Sequence, residues 1–172
     1  MRATKKLTVT ALMAALSVVI LSLGSLLGVL DLSAAALASF LTALLHMELG
    51  KRYAVSYWAV ASLASLLILP ENGAALFFAT AGLYPLLKLA LERLAPWFEW
   101  LFKLLVFGGM LAAYILLAKF VFLLPDAALS GWLLWVLVGL ATIAFILYDL
   151  ALTRLMIHYG LRLRARFARF FQ

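Results

Sequence analysis

The residues able to do chemistry in this chain are few, and the informative ones sit inside apolar runs. Asp149 lies within 131–156, Lys88 within 74–91 and Lys119 within 101–124. A charge in such a run is costly unless it is paired or hydrated, so each marks a structural pair or a site. Asp149 and Lys88 fall at similar depth, and an ion pair between them would fix how their two helices pack. Lys119 differs, being the only basic residue in the outer half of any run. It either snorkels past Phe120 to the interface or faces an outward cavity and meets an anionic or carbonyl-bearing ligand. Asp31, Glu71, Asn72 and Asp126 cap the same side, while Phe77, Phe78, Tyr114, Trp132 and Trp135 supply aromatic walls. Lys119, Trp132, Trp135, Asp31, Asn72 and Tyr114 are therefore the candidate substrate-binding residues.

Other reactive combinations are missing from the sequence. His46 and Glu48 are two residues apart and do not share a helical face, and His158 has no acid or second histidine at ligand spacing. There is no cysteine, and no zinc, serine-nucleophile or phosphate-loop motif. The expectation is a protein with no catalytic residue, metal or cofactor, and so not an enzyme.

The elements that carry these residues follow from composition. Of 172 residues, 68% are hydrophobic and 12% charged, a balance that suits lipid and not water. The class is all-α integral membrane, a single domain over 1–172. About six transmembrane helices are expected, near 7–30, 32–49, 53–69, 74–91, 101–124 and 131–156, with Pro85 a kink in the fourth. The first run is too long for a signal-peptide core and reads as a retained span. Trp97 to Trp100 reads as an interfacial stretch ahead of the fifth, and headgroup depth is the plainer expectation for Trp97 and Trp100 at the inner interface and for Trp132 and Trp135 at the outer one.

Basic residues set the orientation. Arg2, Lys5, Lys6, Lys51, Arg52, Lys88, Arg93, Lys103 and Arg154 fall at alternate ends, whereas the other turns carry Asp31, Glu71 and Asp126 and no basic residue. The positive-inside rule then gives N-in, C-in. The net charge of +7 collects beside apolar spans, which fits a cytoplasmic membrane face and not nucleic acid. In the tail, 160–172, Arg162, Arg166 and Arg169 recur at i, i+4 and i+7 opposite Leu163, Phe167, Phe170 and Phe171. This is a basic amphipathic helix suited to the anionic cytoplasmic leaflet of the bilayer. Two small-residue patterns, Thr8–Ala11–Ala15 and the GxxxG of Gly24 and Gly28, are expected to let another helix approach closely.

The size, the six N-in spans and the opening Leu7-Thr8-Val9-Thr10-Ala11-Leu12-Met13-Ala14-Ala15-Leu16 resemble the substrate-binding S components of energy-coupling-factor vitamin transporters. Ala11 and Ala15 match that family's Ala-x-x-x-Ala, the contact with its transmembrane coupling subunit. The segment Gly82-Leu83-Tyr84-Pro85-Leu86-Leu87-Lys88 also looks like small membrane proteins of Gram-positive bacteria. The resemblance implies a subunit of a bacterial cell-membrane importer, without its own ATPase. Such a subunit captures a small amphiphilic micronutrient at the outer face and docks on the coupling subunit and two ATPases. The chain departs from that group in its very short outer turns and few polar groups. The alternative is therefore a non-transporting scaffold of the envelope or cell-shape machinery with the same fold.

Overall fold

The computed structural model describes residues 3–28, 30–69, 72–91, 96–122 and 132–160; the side chains of 90, 96, 118, 119, 121, 122, 133 and 134 lie outside that description. Every element is helical: α1 Ala3–Leu27, α2 Asp31–Leu49, α3 Lys51–Ile68, α4 Gly73–Ala81, α5 Tyr84–Leu91, α6 Pro96–Phe122 and α7 Trp132–His158. Four are long and apolar enough to cross a membrane: α1, α2 and most of α6 and α7. Helix α3 has 18 residues but begins on Lys51-Arg52 and carries Ser56, Ser62 and Ser65. The amphipathic helix expected over 160–172 lies outside the described residues.

The fourth expected span is two helices instead of one kinked helix. Pro85 has no N–H to give the Ala81 carbonyl, and its ring would crowd that oxygen, so α4 stops and α5 restarts across Gly82-Leu83. Trp97 to Trp100, expected as an interfacial stretch, form the first turn of α6, which opens on Pro96 at a position where a missing N–H costs nothing.

Helices α1, α2 and α3 pack pairwise, and α4 lies against all three. Lipid tails are as apolar as leucine, so helices in a membrane gain by close contact and not by hiding from solvent. The residues between them are accordingly small. Helix α1 buries Thr10, Ala14, Ser17, Leu21 and Gly24, a stripe spaced alternately four and three. Against it stand Ala34, Ala35 and Ala38 of α2, Ala54 and Ala61 of α3, and Ala74 of α4. One hydroxyl joins three of these helices. The Tyr57 Oη–H of α3 donates to the Ala38 carbonyl of α2 at 3.0 Å and is bonded to Ser17 Oγ of α1. Thr8, Thr10, Thr42, Thr80, Thr142 and Thr153 return their hydroxyls to carbonyls one turn back, which makes them tolerable in an apolar setting.

Of the five small residues, Gly24 alone meets another helix of this chain among the described residues. Thr8, Ala11 and Ala15 lie on the exposed face of α1, one position off the buried stripe, and about 100° per residue is enough to turn them away. Gly24 does admit a neighbour, since a β-carbon there would overlap the Ala34 methyl. Gly28 admits none; at φ +65° it ends α1 in a left-handed conformation.

Contacts define two ends. Gly50, at φ +98°, turns the chain within one residue, its N–H bonding the His46 and Leu45 carbonyls at 3.1 and 3.2 Å. The ends of α2 and α7 meet here, Tyr159 Oη reaching Glu48 at 3.5 Å, and Lys6 lies 5.7 Å over the Tyr53 ring. This basic end holds Lys5, Lys6, Lys51 and Arg52. At the opposite, acidic end, Gly24 faces Ala34 and Ala74, and Asp31 faces Gly73.

Gly24→Val should force α1 from α2 and cost about 1–3 kcal/mol, seen as a lower melting temperature in detergent. Gly109→Ala, where a β-carbon meets open space, should leave melting unchanged.

Candidate functional sites at the two ends of the bundle

The sequence places one acid deep in α7, and the structure surrounds it. Asp149, 2% exposed, pairs through Oδ1 with the ammonium of Lys88 from α5, itself 0% exposed. Tyr84, one turn earlier on α5, donates its hydroxyl to the same oxygen at 2.6 Å. Lys103 of α6 takes Oδ2 at 3.0 Å and also pairs with Glu99, one turn back on α6, at 2.6 Å. Lys88 Nζ further donates to the Asp149 carbonyl at 3.3 Å. Among the described residues two ammoniums and two carboxylates gather here, and Glu99 is the member that leads to the surface.

Position comes from the break in α4–α5. Tyr84 and Lys88 are four apart on α5 and share a face, and separating α5 from α4 frees that face to turn toward α7. Aromatic rings close the other side. Tyr84 packs edge-on to Phe145 at 4.9 Å, Phe107 stacks on Phe145 at 4.6 Å, and Tyr148 lies 5.9 Å from Tyr84. This low-dielectric wall strengthens the pairs and raises the cost of breaking one. Both Asp149 carboxylate oxygens are occupied, so the cluster clamps three helices.

The sequence marks Lys88 and Asp149, and they meet. It does not mark Lys103 or Tyr84 as their partners. The i, i+4 spacing of Glu99 and Lys103 is the signal that something nearby needs a second charge.

The acidic end is arranged differently. Asn72 is 0% exposed and caps α4, its Oδ1 accepting the Ala75 N–H at 2.7 Å. Asp31 opens α2 and lays Oδ2 against Gly73, the first residue of α4; a β-carbon there would stand 2.6 Å from that oxygen. Two helix N-termini therefore help to carry the carboxylate charge. Asp31 Oδ1, Asn72 Nδ2 and the hydroxyls of Ser22, Ser62 and Ser65 are buried and make no hydrogen bond. One turn along α4 from Gly73, Phe77 stacks on Tyr114 of α6 at 4.3 Å and 24°.

Three of the six candidate binding residues lie near one another. Asp31 and Asn72 flank the start of α4, and Tyr114 lies one turn away against Phe77. Trp132 and Trp135 of α7 are each 76% exposed among the described residues. An exposed tryptophan is stabilised at membrane headgroup depth by its ring and N–H. The Lys119 side chain, Glu71, Asp126, Arg93 and the tail arginines Arg162, Arg166 and Arg169 lie outside the described residues. A groove of about 370 Å³ does open between α2 and α7, but Ser33, Phe40, Tyr148 and Leu155 line it and none of the six does. Ala11 and Ala15 stand on the exposed face of α1. No three His, Cys, Asp or Glu side chains gather among the described residues.

Asp149→Asn removes the carboxylate that both ammoniums share and should cost about 3–5 kcal/mol. Lys103→Met leaves Asp149 with Lys88 and Tyr84 and should cost clearly less. Melting curves of the two variants in one detergent check the order.

Comparison with protein-family models, curated proteins and solved structures finds no match to this chain.

Proposed function

We propose that this chain is the solute-capture subunit of a multisubunit micronutrient importer in a bacterial cell membrane. It takes a small amphiphilic molecule at the acidic end and docks through Ala11 and Ala15 on a transmembrane coupling subunit driven by ATPases. It crosses the bilayer six times, α4 and α5 together making the fourth passage, with both termini cytoplasmic. Its tail rests on the anionic inner leaflet through Arg162, Arg166 and Arg169. It does no chemistry of its own.

One observation carries this reading. Asp31, Asn72, Ser22, Ser62 and Ser65 each keep a buried polar atom with no partner, five of the seven such groups among the described residues, the other two being His46 Nδ1 and Tyr148 Oη. Buried polar atoms without partners cost about 1–3 kcal/mol each, and a solute that bonds to them offsets that cost. The small, exposed Ala11 and Ala15 support the docking half. A second reading, a membrane scaffold that works by lateral association, is favoured by the exposure of Trp132 and Trp135 and of the faces of α6 and α7.

Pull-down from mild detergent separates the two. ATPase subunits in the complex are expected under capture, and their loss in the Ala11→Leu, Ala15→Leu double variant would assign the docking face. Envelope-synthesis or division proteins in their place would sink capture in favour of the scaffold. Orientation has its own test, because the chain has no cysteine of its own. An impermeant maleimide added to intact cells should label Gly28→Cys and spare Lys51→Cys. The reverse pattern would overturn the cytoplasmic placement of the termini.

A further inference from the structure

Resting on the capture reading, we infer that Asp31 is the counter-ion for a single positive charge, carried by a protonated amine of the captured solute or by an alkali ion. Four observations converge. First, Asp31 divides its carboxylate: Oδ2 lies on the first residue of α4, while Oδ1 is buried and accepts no hydrogen bond. Asp31 is half-buried and two helix N-termini carry part of its charge, so a neutral donor would bond Oδ1 alone, whereas a cation bonds Oδ1 and completes the neutralisation. Second, no described side chain supplies that charge, since the described basic residues of the buried network, Lys88 and Lys103, are committed to Asp149 at the other end.

Third, the next feature inward is aromatic. Gly73 and Phe77 are four apart and share a face of α4, so the Phe77–Tyr114 pair begins roughly 6 Å along the axis from Asp31. A carboxylate at one end and ring faces at the other suit an ammonium that touches both, with the apolar part of the solute over the rings. Fourth, Asn72 is fully buried with Oδ1 spent on its cap, which leaves Nδ2 as a donor for a hydroxyl or carbonyl of the same solute. The described side chains therefore select a charge opposite to the one Lys119 alone would suggest. Ring, ammonium and one neighbouring acceptor define the solute class.

The test uses the purified full-length protein in detergent and a set of isosteres: phenethylamine, 2-phenylethanol and 3-phenylpropionate, read by the melting temperature from tryptophan fluorescence. Sodium is exchanged for potassium at constant ionic strength in a separate arm. Phenethylamine should raise the melting temperature where the alcohol and the carboxylate do not. Asp31→Asn should weaken the amine at least about tenfold, and Tyr114→Leu by about tenfold. A shift with sodium alone that Asp31→Asn abolishes assigns the positive charge to an alkali ion at the same carboxylate. Equal binding of amine and alcohol, a response to the carboxylate alone, or no response to any amine or to sodium overturns the assignment. The wild-type isostere series decides this even where Asp31→Asn fails to fold. ATPase subunits that co-purify while the amine has no effect would sink the charge assignment and leave the capture reading standing. Absence of both would sink the two together.

Discussion

A carboxylate set among apolar helices has to be neutralised where it stands, and Asp149 imposes that condition on the C-terminal half of the fold. Its neutralisation needs Lys88 from α5 and Lys103 from α6, with Tyr84 sharing Oδ1. Neither lysine can serve unless its helix is turned toward α7. The break at Gly82-Leu83 follows from the same need. Helix α4 has to follow α2 and α3, against which it packs, while α5 has to aim Tyr84 and Lys88 at a different neighbour. One continuous helix would fix both faces by a single 3.6-residue period. Pro85 breaks the hydrogen-bond ladder and uncouples them.

The two halves are thus held by different forces. In α1 to α4 the contact residues are alanine, serine and glycine, and the attraction is dispersion between closely approached backbones, with the Ser17–Tyr57–Ala38 hydrogen bonds fixing the angle. In α5 to α7 the contact is electrostatic at its centre and aromatic around it. Small-residue packing sums over many weak contacts and tolerates the loss of one. A charge cluster concentrates its stabilisation on a few atoms, so a single change in it is felt by three helices.

What the sequence discloses divides along the same line. Helical class and approximate boundaries are legible because apolar runs of fixed length, broken by Gly, Pro and charged residues, are a strong signal. Lys88 and Asp149 are legible because an ionisable group in an apolar run has few places to go. The contact face of α1 is not legible: with nearly every side apolar, Ala11–Ala15 and Thr10–Ala14–Ser17 look alike, and a single position separates exposed from buried. Gly24 and Gly28 show the same limit, since spacing cannot distinguish a close approach from a left-handed helix end. Lys103 reads in sequence as one more basic residue near a span end. Only the tertiary path of α6 turns it inward to Asp149. The exposure of Trp132 and Trp135 is likewise a matter of helix rotation about an axis that composition leaves free.

The contrast between the ends bears on which of them does the work. Both Asp149 oxygens are already bonded, so anything that took this carboxylate would have to break a pair before making one. Its contribution is to tie α5 and α6 to α7. The acidic end retains a carboxylate oxygen, an amide and three hydroxyls whose bonding capacity is unspent. Polar groups kept in that state lower the stability of the empty protein and raise the gain on binding, because their desolvation has been met in advance by the fold. Binding there would draw α2, α4 and α6 together through Asp31, Asn72 and Tyr114. Helix α1, packed on α2 and α4, would feel that closure along its buried stripe while presenting Ala11 and Ala15 on the other side. Under the capture reading, the Asp149 cluster at one end, the unpartnered polar groups at the other and the exposed Ala11 and Ala15 on α1 would link occupancy to a partner in the membrane.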